Sequence, residues 1–143
     1  MKLILSASVA KKLQKNVGSI SEFVPDLDTW RVDIFSLRKK SIFIITNEKT
    51  LYTYISPYKA GIKGIIKKIY SEQIKSDINL EDIEYIKHQN KSIIGSMTNM
   101  KSIIAQVDKY MPVDNEGLEK LINNTIFKYL SYSTPTEVHS SHQ

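Results

Sequence analysis

The 143 residues carry 41% hydrophobic and 24% charged side chains, the balance of a single globular domain and not of a disordered chain or of two domains. No apolar run approaches the roughly 18 residues that span a bilayer, and the lack of cysteine excludes a disulfide framework, a cysteine nucleophile and a cysteine-built zinc site, pointing to a cytoplasmic protein held by packing alone. Lys plus Arg number 20 against 15 Asp plus Glu, a formal charge of +5, which raises the expectation of a phosphate-rich partner.

The chain opens on a short apolar strand, Lys2 to Ser6, followed by Val9, Leu13 and Val17 at helical spacing with Ser8 placed to cap that helix. Lys11 and Lys12 interrupt the apolar opening and argue against a cleaved signal peptide. Gly18 to Asp28, with Pro25 inside it, reads as a loop. Period-two alternation then predicts three strands in a meander, at 30–36, 41–46 and 51–55, with a basic turn from Arg38 to Lys40. Ile42 and Ile44 share one face of the middle strand and Phe43 and Ile45 the other, so it is expected to be central, with helices against the sheet.

Ile62, Ile65, Ile66 and Ile69 form the stripe of a covering helix. Asn79 caps an acidic turn at Glu81, Asp82 and Glu84, and the "YIKH" after it suits a short strand or a helix. Ile93, Met97, Met100, Ile104, Val107 and Met111 recur four and three apart, which predicts a helix over 92–111 stopped by Pro112. "NEGLEKLINN" predicts one more helix, and residues 131–143 carry too little apolar surface to offset their ordering entropy and read as a disordered tail. The sum is an α+β fold: a mostly antiparallel sheet packed against helices in a single compact domain over 1–130.

Two runs invite a functional reading. In "NKSIIGSM", Asn90 or Ser92 can cap the helix, Gly95 can permit close backbone packing and Ser96 can bond a carbonyl one turn back. The same residues, with Lys91 and the polar stripe of Ser92, Ser96 and Asn99, are also the ingredients of an anion site at a helix start. The run lacks the phosphate-loop pattern of nucleotide hydrolases and the G-x-S-x-G elbow of acyl-transfer enzymes. In "TNEKT", Asn47 and Glu48 suit a turn over which Lys49 and Thr50 can project as binding groups.

The remaining candidates stand singly. Trp30, the sole tryptophan, is a core or rim residue or a stacking surface, to which Tyr52 and Tyr54 would add if their face were open. His88 is a general base or a basic surface residue, and Asp33 faces solvent or pairs with Arg31 or Lys49. His139 and His142 do not make a metal site, and neither metal nor cofactor is predicted. With Arg31 and Arg38 the only arginines, contact with RNA or DNA is expected to be of weak specificity, since arginine is the usual bidentate reader of base edges.

Lys11 to Leu13, Trp30, the "NEKTL" of Asn47 to Leu51 and the "NKSIIGSMTN" of Asn90 to Asn99 together resemble a family of small bacterial proteins described as a domain of unknown function. That family looks like an N-terminal strand and helix, a Trp-led strand, an NEKTL hairpin and a later N-[RK]-S-x-x-G-S-M helix start, and the resemblance runs over roughly residues 2–125. It implies the fold unit and no reaction. Asn99 stands where the family pattern has an acid, Lys91 where it has an arginine and His88 near an expected threonine, which weakens metal-dependent or bidentate phosphate schemes at those positions.

Three classes of function follow. A small basic binding or regulatory module, contacting nucleic acid or a protein partner, fits the basic balance and the lack of a catalytic constellation in the sequence. A metal-independent ribonuclease, as in a bacterial toxin or defence component, would draw on His88, Ser96 and Lys49. A structural or homo-oligomerising protein, such as a homodimer, would need a spare apolar face. Open aromatics on a lysine surface favour the first, and convergence of His88 with Lys91, Ser96 or Lys49 in one cleft favours the second.

Overall fold

The computed structural model describes residues 1–19, 24–37, 40–71, 83–111, 113–125, 127 and 130–142. The predicted features at Arg38, Asn79, Glu81, Asp82 and Pro112 lie outside the described residues. Six strands, β1 (Lys2–Leu5), β2 (Gly18–Ser19), β3 (Thr29–Leu37), β4 (Lys40–Asn47), β5 (Thr53–Pro57) and β6 (Glu84–Lys87), form one sheet in the order β2-β6-β1-β3-β4-β5. Among the described residues five α-helices accompany it, α1 (Ala7–Leu13), α2 (Gly61–Ser71), α3 (Lys91–Tyr110), α4 (Asn115–Asn123) and α5 (Pro135–Ser141), with a 3-10 turn at Tyr58–Ala60 leading into α2.

The sheet corrects the antiparallel expectation. The β3-β4-β5 meander is antiparallel, but β1 pairs parallel with both β3 and β6, and β2 pairs parallel with β6, so three of the five pairings are parallel. Alternation reports which faces are buried and not which way a strand runs. Direction comes from the connections: the chain passes through α1 between β1 and β3 and through α2 between β5 and β6, crossovers that return it in the same sense. The expected loop at Gly18 contributes two residues, β2, to the sheet edge.

Helices cover both faces. Leu3, Leu5, Trp30, Val32, Phe43, Ile45 and Tyr54 pack with Val9 and Ala10 of α1 and Ile65, Ile66 and Ile69 of α2. Leu37, Ile42, Ile44 and Ile55 pack with Ile93, Met97, Met100 and Ile104 of α3 and Leu118 and Ile122 of α4. That split is why β4 is apolar on both faces, although it lies next to the edge strand β5 and not at the sheet centre. The outer backbone of β5 is taken up by α4: Asn123 Oδ1 accepts from Thr53 N (2.7 Å), Asn123 Nδ2 donates to Thr53 O (2.8 Å) and Glu119 Oε1 accepts from Ile55 N (2.7 Å). An open sheet edge is a template for pairing with another chain, and these side chains occupy it.

The helix starts follow local chemistry. Ser6, one residue outside α1, accepts from Val9 N at 3.3 Å, whereas Ser8 lies within the helix and is not its cap. Asn90 caps α3 by accepting from Ile93 N at 3.3 Å. The α3 stripe ends short of its last sequence member, since Met111 is exposed. Residues 135–141 form α5 where composition points to a frayed tail. Thr134 and Glu137 make a reciprocal capping box, Pro135 sits in the first turn and His139 is buried; these gains are invisible to an apolar count, which leaves histidine out.

Candidate functional site

The NEKT turn is built inward. Asn47 Oδ1 accepts from the backbone of Lys49 and Thr50, both at 3.0 Å, while its Nδ2 donates to Leu27 O at 2.9 Å. One fully buried amide therefore fixes the turn and ties it to the chain before β3. Leu51 holds a left-handed backbone at φ 62° with its side chain buried. Thr50 Oγ1 lies 2.9 Å from His139 Nδ1, and the His139 ring stacks on Tyr52 at 4.6 Å between centroids. Of the four motif residues only Lys49 is exposed.

Glu48 reaches furthest. Its carboxylate, wholly buried, accepts from Arg31 Nε and Arg31 Nη2, each at 3.1 Å, and the Arg31 side chain is 9% exposed. A fork-to-fork pair of this kind is held in geometry as well as in charge. Arg31 stands on β3 one residue before Val32 and two before Asp33, and alternation puts Arg31 and Asp33 on the α3 side of the sheet. Asp33 confirms that side: Oδ2 receives Lys101 Nζ from α3, and Oδ1 accepts from Ile34 N at 2.8 Å.

Above this pair lies a cleft of about 240 Å³. Leu5, Ser6 and Ala7 border it from the end of β1, Lys87, His88 and Gln89 from the end of β6, Arg31, Val32 and Asp33 from β3, and Ile94, Met97, Thr98 and Lys101 from α3. Its position follows from topology. β1 and β6 are parallel neighbours, yet the chain leaves β1 for α1 on one face and leaves β6 for α3 on the other. Where successive helices diverge to opposite faces, a crevice opens outside the carboxyl ends of the strands, and in open α/β sheets ligands bind in such crevices.

A family of proteins described as a domain of unknown function, DUF6933, matches residues 5–138. The chain belongs to that family. Comparison with curated proteins finds no match. The DUF6933 domain thus runs from the last residue of β1 into α5, and takes in Trp30, the NEKT turn, the cleft and the α3 start.

Within the DUF6933 domain the sequence candidates separate. Trp30 is fully buried, its ring 5.5 Å from Tyr54 and 6.2 Å from His139. Asn90 caps α3; Lys91, Ser92 and Asn99 are exposed along it, and Ser96 donates to Ser92 O at 3.1 Å. A Cβ built on Gly95 meets no atom within 4 Å, so Gly95 serves no close backbone approach. Of His88, Ser96 and Lys49, His88 alone lines the cleft. Lys49 follows the end of β4 that pairs with the start of β3, away from the carboxyl ends of β1 and β6.

The sequence reading gave no functional role to Ser6, Thr98 and Lys101, and it left Asp33 to face solvent or to pair with Arg31 or Lys49, whereas Asp33 pairs with Lys101 and Arg31 with Glu48. A usable signal existed. Charged residues at alternate positions of a strand, Arg31 and Asp33 between Val32 and Ile34, cannot both face solvent in a sheet covered on both sides. They must find partners, and the cleft is where they do.

Proposed function

We propose that this DUF6933 domain is a cytoplasmic binding or regulatory module whose ligand enters the cleft at the carboxyl ends of β1 and β6. The observation that carries the reading is the coincidence of a cleft with the switch point of the sheet, lined by apolar walls and a few convergent charged groups. Nucleic acid is the weaker partner in this reading. Base stacking needs open rings, and Trp30 and Tyr54 are buried in the core. Contact with RNA or DNA then falls to lysines on phosphates and to the exposed rings of Tyr110 and Tyr132, which stand outside the cleft, and its phosphate share releases counterions and fades steeply with salt.

The test is amide mapping of the 15N-labelled protein against a panel of small acids, amines, alcohols and amides, beside a short single-stranded RNA and a scrambled DNA duplex across a salt series. Small ligands should move the amides of 5–7, 31–33, 87–89 and 94–101 together, while RNA and DNA should move scattered lysine-bearing positions at low salt only. Perturbation confined to the exposed face of α3 or to Lys49 would remove the cleft from the account. Single-site RNA cleavage lost on His88→Ala would replace the binding reading with the ribonuclease one.

A further inference from the structure

Arg31 is bound in a way that leaves part of it over. Glu48 engages Nε and one hydrogen of Nη2, so both Nη1 hydrogens and the second on Nη2 remain. They have no other protein partner among the described residues. Yet Nη1 is not sealed in: among the described residues the sealed side-chain polar atoms without a partner are Trp30 Nε1 and Asn115 Oδ1. The unengaged edge of a side chain more than nine-tenths buried therefore still meets open space, and the cavity that Arg31 borders is the cleft.

We propose that the cleft binds a small organic oxyanion, a carboxylate or a phosphate monoester on a short aliphatic body, anchored on the free edge of the Arg31 guanidinium. This rests on the cleft being the ligand site and names the class it takes. A planar guanidinium with paired donors matches carboxylate and phosphate oxygens, and it is less strongly hydrated than an ammonium, so it gives up water at lower cost in a narrow site. The pair with Glu48 holds the fork in place before the ligand arrives, which reduces the ordering cost of binding.

The other lining groups agree with that class. Asp33 would repel an anion, but its oxygens are committed to Lys101 Nζ and Ile34 N. Lys101 therefore balances Asp33, and exposed Lys87 adds a positive charge at the mouth. Leu5, Val32, Ile94 and Met97 supply aliphatic walls, and among the described residues no Phe, Tyr or Trp borders the cavity, so His88 is the one aromatic ring they place there. A volume of about 240 Å³ falls just below the roughly 300–1,000 Å³ of sites for drug-sized ligands.

The experiment titrates butyrate, butyl phosphate, butylamine and butanol into the labelled protein, following the Arg31 side-chain nitrogens and the amides of 87–89 and 94–98. Butyrate or butyl phosphate should shift the Arg31 Nη signals and both amide groups in step, and which of the two binds more tightly identifies the headgroup. Butanol and butylamine should not. The double variant Arg31→Met/Glu48→Met removes the anchor without leaving a lone buried charge, and it should weaken the anion by at least about tenfold while its thermal midpoint shows it folded. If butanol or butylamine moves the cleft amides and the acids do not, the oxyanion class is wrong and the cleft stands. If the acids bind the double variant as tightly as the parent, Arg31 is not the anchor. If none of the four moves the cleft amides, both readings fall.

Discussion

Glu48→Ala is expected to destabilise the fold by about 3–5 kcal/mol, because it strands a buried guanidinium without its countercharge. Arg31 is 9% exposed and gives Glu48 two hydrogen bonds of 3.1 Å. Glu48 also holds the turn through its backbone, whose N–H donates to Thr29 O at 2.9 Å, and that bond survives the substitution. The loss therefore reports the Glu48 side chain and not this backbone bond. Urea unfolding of the single variants and of Arg31→Met/Glu48→Met separates the terms. The double variant should recover most of the loss, since replacing both charges with apolar groups of similar size removes the desolvation penalty together with the attraction. A Glu48→Ala protein with an unchanged midpoint would mean that the pair is not formed in solution.

Trp30→Ala should cost about 3–5 kcal/mol, the range for deleting a large aromatic from a packed core. Trp30 is fully buried between the sheet and the α1–α2 layer, and it touches Tyr54 and, through it and His139, the C-terminal helix. Its Nε1 has no acceptor, so the indole contributes by area and not by a hydrogen bond, and Trp30→Phe should be much milder than Trp30→Ala. The measurement is the urea midpoint of both variants. Were Trp30 instead an open stacking surface for bases, Ala would leave stability within a few tenths of a kcal/mol, as surface changes do.

Much of the architecture was legible because burial on a covered sheet and on a covering helix leaves periodic traces. The β3-β4-β5 meander follows from alternation between Val32 and Ile55, and α3 from the four-and-three spacing between Ile93 and Ile104. Strand direction leaves no such trace. The strand-helix-strand order from Lys2 to Leu37 was the available clue to a parallel pairing, but a four-residue β1 offers too little pattern for its weight to be felt. The α5 helix escaped notice because its stability comes from a capping box and from a histidine stacked on Tyr52.

The candidate residues divide along the same line. Motifs such as NEKT and NKSIIGSM stand out because asparagine, glycine and serine serve turns and caps, and the structure puts Asn47 and Asn90 to that use. The cleft gathers residues from four segments, near 6, 31, 88 and 97, with no motif linking them. Only the folded order of β6, β1 and β3 brings them together.

The most direct test of the cleft as the binding site is a crystal of the full chain grown with 4-bromobutyrate and measured at the bromine edge. The account predicts an anomalous peak between Ile94 and Met97 with the carboxylate on Arg31. A peak beside Lys49 or on the exposed Lys91 to Asn99 face, with the cleft holding no bromine, would contradict it.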